Sequence, residues 1–157
     1  MTVSAKYLDV FLKGSAIVFC LLPTSCALNQ NDQGHSEMAL TTRQVMNWVL
    51  DPNADLIWDS AGFEITADGV EDLAPASDEQ WLAVRNSSAA IIEVGNILLM
   101  PTHYRDDAVW SRWVRDLQST GMQLLATAES RDSTRLFSLG GELFEACQSC
   151  HDHYITQ

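Results

Sequence analysis

Late in the chain the sequence reads Cys147-Gln148-Ser149-Cys150-His151. Two thiols three positions apart, followed at once by an imidazole, form the spacing of covalent c-type haem attachment. On one helical turn each thiol can add to one vinyl group of a porphyrin, while the adjacent imidazole reaches the iron. A single five-residue segment then supplies two tethers and an axial ligand. With four cysteines and four histidines in 157 residues, only about 0.0025 such matches are expected by accident. Two other chemistries use a CxxC pair: a structural or redox disulfide, and half of a zinc site. The zinc alternative lacks a second ligand pair in this sequence.

The other two cysteines, Cys20 and Cys26, belong to an N-terminal stretch ordered like an export signal. Lys6 and Lys13 precede an apolar run from Ala16 to Leu22, and Pro23-Thr24-Ser25-Cys26-Ala27 follows. The run is too short to span a bilayer. Ser25 and Ala27 suit an ordinary cut after Ala27. Leu22-Pro23-Thr24-Ser25-Cys26 instead resembles a lipoprotein signal cut before Cys26, with Pro23 where that pattern prefers Leu. A third reading is an uncleaved, buried helix. Either cleaved form works in the periplasm, or on the membrane facing the periplasm through a lipidated Cys26.

Charge narrows the partners. Twenty-one acidic residues against nine basic ones give a net charge of −12, which excludes nucleic acid and opposes anionic lipid surfaces. Beyond residue 27 seven arginines face twenty acidic residues, a balance of −13. A redox partner is therefore expected to present a basic face.

Three segments follow: an export signal at 1–27, a polar spacer at 28–37 that includes His35, and a domain at 38–157. The domain is expected to be all-α. Its first helix starts near Thr41 or Thr42 and carries Met46, Val49 and Leu50 on one face. Asp51-Pro52 interrupts or restarts it, giving a short helical stretch from Asn53 to Trp58. Phe63 to Ala76 reads as an ordered loop, with a hairpin as the alternative. Ser77 and Gln80 make a capping-box pattern for a second helix, with Trp81, Val84, Ser88, Ile91, Gly95 and Leu98 at helical spacing up to Pro101. Asp106 or Asp107 can cap a third, striped by Trp110, Trp113, Val114, Leu117, Gly121, Leu124, Leu125 and Ala128. Asp132 or Ser133 opens a fourth, in which Leu136, Gly140, Leu143, Cys147, Cys150 and Tyr154 share a face. Four such helices bury their stripes most economically as an antiparallel bundle, with haem c attached near the C-terminal end of the last.

With its attachment motif on the last helix, in Phe144-Glu145-Ala146-Cys147-Gln148-Ser149-Cys150-His151-Asp152-His153-Tyr154, the chain over residues 38–157 resembles the cytochrome c′ family and its low-spin, methionine-ligated relatives. The resemblance implies one covalently bound haem c, His151 as proximal ligand and a homodimer. A Trp-rich third helix is equally explained by core packing. The residue opposite His151 comes, in that family, from the first helix: leucine in five-coordinate members, methionine in six-coordinate ones. Met46 occupies the matching place. Arg43, one turn earlier, matches an arginine that meets haem propionates. Ile155 stands where family members commonly have a basic residue, so proximal gas chemistry that relies on a positive charge does not carry over.

Met38, Met100 and Met122 rank below Met46 as ligands, and His103 is the rival imidazole, read as a surface histidine. His153 should point elsewhere around its helix. Trp48 and Trp58 are candidates for the pocket wall, and Gly140-Gly141 for close approach of the porphyrin or of a neighbouring helix. The expected function is single-electron transfer by an exported monohaem cytochrome and not an enzyme reaction. The alternative is a five-coordinate haem that binds or detoxifies nitric oxide or carbon monoxide. A weak peroxidase would need an acid–base group such as His103 beside an open iron.

Overall fold

The computed structural model describes residues 40–105 and 108–155. The expected export signal and spacer, Met38, and the cap candidates Asp106 and Asp107 lie outside the described residues.

The first helical rod begins at a reciprocal cap. The Thr41 hydroxyl accepts from the Gln44 backbone N–H, and the Gln44 side chain accepts from the Thr41 N–H at 2.8 Å. From there α1 (Thr42–Val45) passes through a π-helical turn (Met46–Leu50) into α2 (Asp51–Asp59). Pro52 is the cause of the wider turn. It has no N–H to donate and its ring crowds the carbonyl four residues back. The backbone responds by widening, and the Asp51 N–H reaches the Met46 carbonyl five residues earlier. The Asn53 side-chain amide donates to the Val49 carbonyl at 2.7 Å. The sequence predicts a break or restart at Asp51-Pro52; the rod does not break, and α-helical geometry restarts at Asp51 with Pro52 in its first turn.

An antiparallel hairpin follows, β1 (Phe63–Thr66) with β2 (Gly69–Asp72), in the register Phe63 to Asp72, Glu64 to Glu71, Ile65 to Val70 and Thr66 to Gly69. This corrects the expectation of an ordered loop and makes the domain mostly helical with one small sheet. The hairpin closes because Gly69, at φ +142°, takes a backbone conformation open to glycine. At its base the Leu73 N–H donates to the Gly62 carbonyl. All eight strand residues are exposed, so little packing holds the hairpin beyond the Phe63 ring against Phe137, with centroids 6.5 Å apart.

Helix α3 (Asp78–Leu98) starts at the predicted Ser77–Gln80 capping box, α4 spans Ala108–Ser130, and α5 (Ser133–Tyr154) is capped by Asp132, whose carboxylate accepts from the Arg135 N–H at 2.9 Å. Helix α3 packs on α4, α4 on α5, and α2 on both α3 and α5. The core joins Ile57 of α2, Val84 and Ile91 of α3, Val114 and Leu124 of α4, and Leu136 and Leu143 of α5. Where α3 crosses α4 the backbones come close. A Cβ on Gly121 would lie 2.9 Å from Ile92 Cγ1, and one on Gly95 would collide with the Gln118 side chain. A Cβ on Gly140 would make ordinary contact, 3.7 Å, with Trp58 and Ala61, and one on Gly141 would face open space, so no close approach within the described residues requires either glycine.

Gly141→Ala should stabilise the fold by about 0.5–1 kcal/mol through helix propensity alone. Gly121→Ala should destabilise it by about 1–2 kcal/mol, because overpacking at the crossing outweighs the same gain. Urea unfolding of both variants checks the opposite signs.

Candidate cofactor site

The last two turns of α5 place Cys147, Cys150 and His151 beside the start of the first rod. A narrow apolar slot is lined by Cys147, Cys150 and His151 from α5, by Met46 and Leu50 from the π turn, and by Leu98, Trp110, Trp113, Val114 and Leu117 from α3 and α4. It adjoins an open cavity of about 690 Å³, whose walls include Arg43, Met46, Arg105, Trp110, Cys150, His151 and Tyr154. Met46, Trp110, Cys150 and His151 line both. A volume of that size falls within the range of small-molecule and cofactor sites, roughly 300–1,000 Å³.

All five residues singled out in the sequence, Arg43, Met46, Cys147, Cys150 and His151, thus meet at one place. Met46 and Leu50, four residues apart on the rod, share the face that lines the slot. The start of the rod is tied down by the Thr42 hydroxyl, 2.9 Å from His103 Nδ1 across 61 residues of sequence. That contact corrects the expectation for His103. It is 6% exposed, not a surface histidine, and neither cavity's wall includes it.

Other candidates fall away from the site. Met100 and Met122 are about half exposed, and Trp48 is 61% exposed. Trp58 donates its indole N–H to the Gly140 carbonyl at 3.0 Å and lines a separate surface hollow with Phe137 and Phe144. His153 is exposed and its ring meets Tyr154 edge-on at 4.6 Å. Ile155, although 70% exposed, borders the open cavity.

Three wall residues carry roles that the sequence reading missed. Arg105 borders the open cavity from the loop before α4, and Tyr154 and Trp110 form an edge-on aromatic pair beneath it, 5.3 Å between centroids. The rarity of basic residues was the available signal for Arg105, one of seven arginines after residue 27. The two aromatics were visible only as members of apolar stripes.

Cys147 and Cys150 are both free thiols, partly buried. Burial pushes the Cys147 thiol up to about 11, and the neighbouring Cys150 and Asp51 add to the rise. Burial also raises Cys150, against the Arg105 guanidinium, which lowers it. Reactive CxxC oxidoreductase thiols are shifted the other way, towards a stable thiolate. Here both thiols are neutral at pH 7.

These features fit a covalently attached haem. Two thiols one helical turn apart would hold the two vinyl positions, and the His151 imidazole and Met46 thioether on the same walls would be its donors to iron. The slot walls are apolar, and the guanidiniums of Arg43 and Arg105 stand on the adjoining wall, where they would meet propionates. Trp113, on the slot wall, has a buried indole N–H with no hydrogen-bond partner among the described residues. A buried donor of this kind is costly unless an acceptor meets it, and an acceptor brought in by a bound group would relieve that cost.

In the haem-free chain at pH 8, Cys147 should be alkylated by iodoacetamide about a hundredfold more slowly than in the unfolded chain, since thiolate supply falls tenfold per unit of raised pKa. The rate should climb with pH until about 11. Because the folded thiol titrates above the unfolded one, the neutral form stabilises the fold below about 9 and that contribution is lost as pH rises towards 11. Peptide mapping across a pH series checks both statements.

No protein-family model matches the chain, and no match was found among curated proteins or solved structures.

Proposed function

We propose that the chain is an exported monohaem c-type cytochrome that carries single electrons, with a four-helix bundle holding one covalent haem c. The observation that supports this most is the meeting of Met46 and Arg43 with Cys147, Cys150 and His151, about a hundred residues apart in sequence, around one pair of adjoining cavities. The haem, when bound, supplies an iron that cycles between ferric and ferrous states. The protein's own groups set the terms of that cycle.

Cys147 and Cys150 would hold the macrocycle through thioether bonds, and His151 would supply a nitrogen ligand to its iron. Met46, on the first rod, would supply a thioether, which would raise the reduction potential and restrict access of small ligands. Leu50, Leu98, Val114 and Leu117 exclude water from the slot. A dry wall of this kind favours the oxidation state with less net charge. Arg43 pairs with a propionate. His103 is engaged with Thr42 away from both cavity walls, which leaves an acid–base step at the iron without an imidazole. The mature protein is expected in the periplasm, or tethered to the membrane through a lipidated Cys26, and as a homodimer.

Absorption spectra of the holoprotein, oxidised, reduced and reduced under carbon monoxide, test the ligation. Native protein should be low-spin and indifferent to the gas, and Met46→Ala should become high-spin and gas-binding. A native high-spin spectrum that responds to carbon monoxide would remove Met46 from the iron and transfer the proposal to nitric oxide or carbon monoxide binding.

The charge balance of −13 beyond residue 27 gives a second test. The association rate with a redox partner bearing a basic face should fall by about tenfold or more between 10 mM and 200 mM salt. A flat salt profile in stopped-flow electron transfer would contradict the electrostatic docking.

A further inference from the structure

The wall of the open cavity runs against the charge of the chain. Among the described residues it includes the guanidiniums of Arg43 and Arg105 and no carboxylate, in a sequence that is −13 beyond residue 27. Two of the seven arginines there are gathered at one mouth. The ion pairs among the described residues use others, Arg131 with Asp78 and Arg135 with Glu142.

Arg105 is also held in place. Its guanidinium carbon lies 5.1 Å from the centre of the Tyr154 ring and 5.9 Å from that of Trp110. Trp110 is itself anchored, its indole N–H donating to the Leu98 carbonyl at 2.9 Å. Stacking on the aromatic faces leaves the edge of the guanidinium free to donate in its own plane. Tyr154 is one turn beyond His151 on α5, so the helix that carries the tethers also supports this arginine.

We infer that Arg105 is a carboxylate-binding residue of the cavity, the counterpart of Arg43, so that the site takes a ligand with two carboxylates, one for each guanidinium. The inference rests on the haem reading and adds a specificity to it: the two arginines select the dicarboxylate form of the macrocycle. Arg43 is placed by the capped start of the first rod, and Arg105 by aromatic stacking on the opposite end of the chain. Paired charge-assisted bonds from two independently anchored guanidiniums favour a dianion over a monoanion or a neutral ligand.

The test uses the full chain free of haem and iron mesoporphyrin, whose ethyl groups replace the vinyls so that no thioether forms. Binding of the free diacid and of its dimethyl ester is followed by quenching of tryptophan fluorescence. The native chain should prefer the diacid, and Arg105→Gln should weaken diacid binding about tenfold with the ester unchanged. Arg105→Lys should recover part of the loss, and Arg131→Gln should bind like the native chain. An Arg105→Gln chain that keeps the full preference, or that loses diacid and ester equally, overturns the inference while leaving the haem reading intact. A native chain that takes up neither porphyrin overturns both.

Discussion

Helices α3 and α4 meet at a crossing where neither backbone has room for an ordinary side chain. Gly95 leaves space for Gln118, and Gly121 for Ile91 and Ile92. This close approach brings the apolar stripes of the two helices into register, from Val84 and Ile91 on one to Val114 and Leu124 on the other. The first rod and α5 then pack on the surface so formed. Their ends converge on Leu98 and Trp110, and the cavity walls are built there. The position of Cys147 and Cys150 relative to Met46 is therefore inherited from a glycine contact remote from both cavities.

Much of this was legible in local sequence. The Ser77–Gln80 pair and Asp132 cap helices as their spacing predicts, since a cap involves residues only three apart. The stripe from Trp81 to Leu98 is buried throughout. The CxxCH segment and Met46, named together from the sequence, line one pair of adjoining cavities. What was not legible depends on distance. Nothing near His103 announces that it will meet Thr42, 61 residues away, and nothing near Arg105 announces the ring of Tyr154 beneath it. The hairpin ranked second to a loop for another reason: its strands are exposed on both faces, so no alternation of buried and exposed positions distinguishes them from a loop.

The hairpin also has an unusual balance of forces. Ile65, Val70 and Phe63 are left 63–82% exposed, which would invite a free strand edge to pair with another chain. Glu64 directly opposes Glu71, a like-charge arrangement that weakens the pair. The same repulsion discourages a second acidic copy from adding a strand. Local stability is given up, and the exposed apolar face is less open to association for that reason.

Pro52 has a consequence for how this site could change over time. The π turn accommodates, in effect, one residue more than an α-helix would hold between Val45 and Asp51. A chain that lost one residue there could run on as plain α-helix with little rotation of the rod's start relative to α2, because five residues of a π turn and four of an α-helix wind through nearly the same angle. Met46, if retained, would keep its place on the slot wall, whereas the same loss within plain α-helix would turn everything before it by about 100°. The helical phase that presents Met46 to the slot is thus buffered, at this one turn, against the loss of a residue.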